Sequence, residues 1–159
     1  MNNKKLIRAI TVSAGLGVVA GLRSMTAPAV LNRAIGSKRI RSNGGLADLL
    51  RDRRVEKIVS AMAVGELIFD KLPFVPDRTS FPSMSFRIVS GAAVGAALCS
   101  SKRVPVALGV VAGGVGAVAG TLAGYHLRKK LSEHAPGFLV AVAEDTVATG
   151  VGALLVRNA

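Results

Sequence analysis

The chain has 159 residues, enough for one domain; half of it is apolar, only 4% is aromatic, and its mean hydropathy is +0.47. Ala, Gly and Val carry the apolarity, which argues against a soluble, aromatic-rich core and for closely packed transmembrane helices. The net charge of +12 does not imply nucleic acid. The basic residues lie in short segments between apolar runs, as in loops beside anionic head groups, not along a stripe with aromatic stacking platforms.

The first apolar run predicts a span over Leu6–Gly21. The start resembles a signal peptide, but the run is long and Arg23 and Pro28 follow it, so a retained span is expected. Pro28 removes a backbone donor and predicts a bend or break, with the continuation to Leu31 as a half-helix. Asn32–Arg54 is the one clearly polar segment, broken by Gly36, Gly44 and Gly45. Within it, Leu46–Leu50 beside Arg51, Arg53 and Arg54 reads as a short surface-lying amphipathic helix.

A second, short span is predicted over Ile58–Phe69, carrying Glu66, and the sequence DKLPFVPDRTSFP then forbids further helix. The third is Phe86–Ser100, with Arg87, Ser90, Gly91, Val94 and Gly95 on one face. A tight turn at Ser101–Val104 leads to the fourth, Val104–Leu127, which begins with Pro105 and ends at Arg128, Lys129 and Lys130. The fifth is Phe138–Val156, carrying Glu144 and Asp145. Five spans are expected, with four or six as alternatives because several runs are near or below the roughly 20 residues needed to cross.

Glycines recur four apart at Gly109/Gly113 and Gly116/Gly120/Gly124, and at Gly17/Gly21 and Gly91/Gly95. Each costs about 1 kcal/mol against alanine in a helix in water. In a bilayer the backbone has no other hydrogen-bond partner, and a glycine stripe admits a close neighbour. So small a bundle with such stripes is expected to form a homo-oligomer.

GVVAG occurs at Gly17–Gly21 and again at Gly109–Gly113. A glycine-rich span followed by a short acidic one occurs twice. The reading is a single membrane domain, 1–159, with unit one at about 9–72, a linker span at about 84–101 and unit two at about 104–157. One linker span makes spans one and four run in opposite directions, giving an inverted repeat of the kind found in transporters. Convergence of Gly/Ala-rich helices is the plainer explanation of the same pattern.

Arg23, Glu66, Glu144 and Asp145 fall within or beside apolar spans, and Asp70 lies one turn beyond Glu66. A charge at mid-bilayer costs about 2.5–3.5 kcal/mol, whereas each Leu, Ile or Val returns only about 0.3–0.6. These groups must pair, protonate or face water. The expected arrangement is an interior cluster in which Arg23 bridges Glu66 and Glu144, with Tyr125 as a hydrogen-bond partner. Ser24, Lys71, Arg78, Arg87 and Arg128 stand near it. A cluster that only fixes helix register is the competing reading.

His126 and His134 have no partners at metal-ligand spacing, and no nucleophile–base pair is evident, so no metal, cofactor or catalytic residue is expected. GLRSMTAPAV (Gly21–Val30), GELIFDKLPFVPDRT (Gly65–Thr79), RIVSGA (Arg87–Ala92), GTLAGYHLRKKL (Gly120–Leu131) and AEDTVA (Ala143–Ala148) together resemble an uncharacterised bacterial membrane family, domain of unknown function four-one-two-six. The resemblance runs from about Gly15 to Val156. It implies an integral-membrane protein and carries no activity.

The sequence thus reads as an all-α, multi-pass bundle of the inner (plasma) membrane, not an enzyme. Transport of an ion, proton or small polar solute at the repeat interface is the leading function. The alternatives are a membrane scaffold, or a lipid-handling protein that holds anionic head groups at Arg33–Lys57. Basic residues divide almost evenly between the two sides; the Arg33–Lys57 cluster tips that loop and the C-terminus toward the cytoplasm.

Overall fold

A computed structural model describes residues 3–37, 40, 52–69, 81–132 and 137–159. These form α1 (Asn3–Leu22), α2 (Thr26–Gly36), α3 (Arg53–Phe69), α4 (Phe81–Ser101), α5 (Val106–Ser132) and α6 (Gly137–Arg157), with no strand among the described residues. Among the described residues four segments are long and apolar enough to cross a membrane: Asn3–Leu22, Pro82–Ser101, Val106–Leu131 and Leu139–Arg157. The expected second span falls on α3, which has 17 residues and is not among the four.

Polarity is distributed as lipid requires. Val111, Val115, Leu139 and Val147 lie on the outside, Val115 at 65% exposure, whereas Arg23, Arg87, Ser90 and Thr121 are buried, Arg87 at 4%. In water that placement is costly on both counts; in hydrocarbon it is the favourable one.

α1, α4 and α5 form the tightest part of the bundle. At 100° per residue, Gly109, Gly113, Gly116, Gly120 and Gly124 fall within a sector of about 80°, and that sector faces the groove between α4 and α1. A Cβ added at Gly109 or Gly113 would stand 2.2 or 2.1 Å from the carbonyl oxygen of Gly95 or Gly91 on α4. One added at Gly116 or Gly120 would stand 2.2 Å from that of Ala14 or Val18 on α1. Gly17 and Gly21 approach Gly113 and Ala117 equally closely, while Gly124 faces the Leu22 side chain. The stripe is therefore covered within one chain, and an oligomer has to use another surface.

The same contacts fix direction. Gly17 meets Gly113 and Gly21 meets Ala117, so residue numbers rise together and α1 is parallel to α5. Gly95 faces Gly109 and Gly91 faces Gly113, so α4 is antiparallel to α5. The opposed directions that the inverted repeat requires of spans one and four are absent. The expected placement of the two termini on opposite sides fails with them, because Arg8 Nε at the start of α1 donates to Asn158 O at the end of α6 (2.6 Å).

The physical reason lies in α2. Arg23 meets Asp145 and Val30 packs beside Gly152, so α2 runs parallel to α6. Leu155 lies against Gly15 and Val19 beside Gly152, so α6 is antiparallel to α1. Hence α2 turns back into the bundle. Its 11 residues reach about 16 Å, half a membrane. The chain between α1 and α4 leaves and rejoins the same end, where a single intervening span would have carried it across. Leu31, Ile35 and Ile40 seal this return against Leu16, Val94 and Leu98.

α4 ends in a capping turn whose bonds run from Val104 N to Cys99 O (2.9 Å) and from Arg103 N to Ser100 O (3.1 Å). Arg103 holds the left-handed position usually given to glycine, at φ 54°. Val104 then packs with Cys99 and Ala9, and α5 begins one residue after Pro105.

Candidate functional site

The site grows from the interruption at Arg23–Met25. A proline at position 28 has no N–H to give the carbonyl of Ser24, and its ring disfavours helix on its N-terminal side. α1 therefore stops at Leu22 and α2 starts at Thr26, leaving carbonyls of the last turn without helical donors.

Side chains from two other helices supply them. Arg87 Nη1 on α4 donates to Gly21 O (2.5 Å) and Leu22 O (3.0 Å). A cation at the C-terminal end of α1 also meets the negative end of that helix's dipole. Ser90, one turn further along α4, donates its hydroxyl to Ser24 O, the carbonyl that Pro28 cannot reach. Thr121 Oγ1 on α5 lies 3.2 Å from Gly21 O and 2.8 Å from Ala117 O, so its single proton serves one or the other.

Arg23, 2% exposed, pairs through Nε with Asp145 Oδ1 on α6. The adjacent Glu144 turns toward α5, with Oε1 3.5 Å from where a Cβ on Gly124 would stand. Beside it is a cleft of about 170 Å³ whose wall is almost wholly apolar, formed largely by Leu22, Leu127, Leu131, Val140 and Val147, with Glu144 and Arg128 as its charged residues. Two arginines and two acidic residues thus lie around one broken helix. The break is about 10 Å, two turns of α5, inside the first charged residue beyond Thr121, which is Arg128.

Of the residues expected at the site, Arg23, Ser24, Arg87, Glu144 and Asp145 converge here, and Arg128 lines the cleft. Arg23 pairs with Asp145, which the sequence reading left out of the bridge it drew from Arg23 to Glu66 and Glu144. Tyr125 stands apart: it is 40% exposed and meets His126 edge-on. Asp70, Lys71 and Arg78, and the side chain of Glu66, lie outside the described residues, as does most of the expected head-group site at Arg33–Lys57.

Thr121 and Ser90 are contacts at the break that the sequence marks only by their helical phase with Arg128 and Arg87. Ser13, fully buried and 3.6 Å from the thiol of Cys99, carries no such signal. Among the described residues no three His, Cys, Asp or Glu side chains come together to hold a metal ion.

The family model described as a domain of unknown function (DUF4126) matches residues 10–158. Neither the curated proteins nor the solved structures contain a match to the chain.

Proposed function

We propose, for a chain that belongs to the DUF4126 family and takes no activity from it, that an ion, proton or small polar solute moves through the polar break between α1 and α2. The four apolar helices point to an integral membrane protein. One observation carries the finer reading: a helix interrupted inside the bundle, with Arg87 on its freed carbonyls and the Arg23–Asp145 pair beside it. Discontinuous helices whose exposed ends face a polar site are the means by which membrane transporters hold small charged cargo.

The cleft supplies an approach. Its wall is largely apolar, from Leu22, where α1 stops, past Arg128 to Leu131, and Glu144 is the acidic side chain along it. A carboxylate there can attract a cation or carry a proton to the break, and Arg128 sets the charge at the mouth. The reading is non-catalytic: these side chains bind and pass a solute and form no bond to it.

Glu144→Gln removes that charge while keeping shape. In vesicles reconstituted with the chain and loaded with a pH-sensitive dye, the variant is expected to lose most of any protein-dependent flux and to keep its helical content. Equal flux from both proteins would remove Glu144 from the path.

One feature favours a second reading, a membrane scaffold. Arg87 and Ser90 both bond to backbone carbonyls of the break, with Thr121 Oγ1 within reach of Gly21 O, which suits a fixed lock as well as a binding site. A scaffold predicts no protein-dependent flux in the parent chain at all.

A further inference from the structure

The opposite end of the bundle holds a second polar feature, independent of the break. Lys4, Lys5 and Arg8 on the first turns of α1 and Lys102 just beyond α4 surround a cleft of about 280 Å³. Its inner wall is apolar, formed by Ala9, Val12, Leu98 and Ala159. No acidic side chain is among its described lining residues.

Such crowding is unfavourable unless an anion relieves it. Lys102 registers the strain: burial first, then Arg8 and Lys5, hold its ammonium below the usual lysine range. The first turn of α1 adds N–H groups and the positive end of a helix dipole at the same place. The position matters as well. These cations stand where the apolar part of α1 begins, with the apolar side chains of Ala9, Val12 and Leu98 directly beside them.

We propose that this cleft binds a phosphate-bearing anion, its oxygens held by Lys5, Arg8 and Lys102 and any attached apolar chain lying along Val12 and Leu98. A phospholipid head group and a soluble phosphate share that chemistry. Charge-assisted contacts from lysine and arginine recognise the phosphate, and the apolar wall adds contact only for a lipid.

The test uses the full chain purified in a neutral detergent, with its thermal unfolding followed during titration with phosphatidylglycerol, phosphatidylcholine or inorganic phosphate. A stabilising shift with phosphatidylglycerol well beyond that with phosphatidylcholine supports the site with a lipid as its source. A shift with inorganic phosphate that phosphatidylglycerol does not exceed supports it with a soluble source. In either case Lys5→Gln combined with Lys102→Gln is expected to weaken the response at least about tenfold, since each cation lost removes a charge-assisted contact. Arg103→Gly, which removes a charge from the same end but outside the cleft, is expected to keep it. No shift with any ligand, or a shift unchanged in the double variant, overturns the proposal.

Discussion

Asp145→Asn is expected to destabilise the folded bundle by up to about 3–5 kcal/mol, the usual cost of removing one half of a buried ion pair. Arg23 is 2% exposed and Asp145 17%, so water cannot take over the lost role. The neutral pair Arg23→Gln with Asp145→Asn removes both charges and is expected to recover a large part of that loss. Two partners in direct contact couple, and a non-additivity of about 0.5–3 kcal/mol is the signature. Unfolding of the four proteins of this cycle in mixed micelles by increasing sodium dodecyl sulfate gives the measurement. Additive losses would mean that the two side chains do not act as a pair.

The second large effect belongs to Gly113→Leu. Gly113 stands at the point where three helices meet: its own added Cβ would lie 2.1 Å from Gly91 O, and its carbonyl lies 2.2 Å from a Cβ placed on Gly17. Both neighbours are backbone and cannot rotate away, so α4 or α1 must separate from α5. Overpacking of a close-packed site costs about 1–3 kcal/mol and more where backbones must part; this position is expected at or above the top of that range. Gly150 makes the control, because nothing lies within 4 Å of a Cβ there. Gly150→Ala is expected to be neutral or to stabilise by up to about 1 kcal/mol through helix propensity. Similar losses in both variants would show that helix propensity, and not close approach, sets the response.

Much of this could be read from sequence. The four helices long and apolar enough to cross a membrane follow apolar runs broken by few charges, Arg87 in α4 and Glu144 and Asp145 in α6, and their ends fall within a few residues of the charges and prolines that bound them. The break before Pro28 follows from a missing N–H, and the glycine sector from spacings of three and four. What was not legible is equally specific. A stretch of 11 residues is too short for its periodicity to show whether it continues α1 or turns back, and that one ambiguity reversed the relation of α1 to α5. Neighbouring residues on a helix differ by 100°, so Glu144 and Asp145 look alike in sequence, although Asp145 Oδ1 pairs with Arg23 Nε while Glu144 Oε1 lies toward Gly124. The cleft at Lys4, Lys5, Arg8 and Lys102 joins residues almost a hundred positions apart, which only the antiparallel packing of α1 and α4 brings together.

The return of α2 into the bundle places both ends of the described chain at one end of the bundle, and in a membrane that arrangement puts them on the same side. Single cysteines at Asn3 and Asn158, each in a Cys99→Ser background, test this through labelling by a membrane-impermeant thiol reagent in sealed vesicles of known orientation. Both positions are expected to be labelled from the same side and protected from the other. Labelling from opposite sides would contradict the arrangement of α1, α2 and α6 on which the polar break depends.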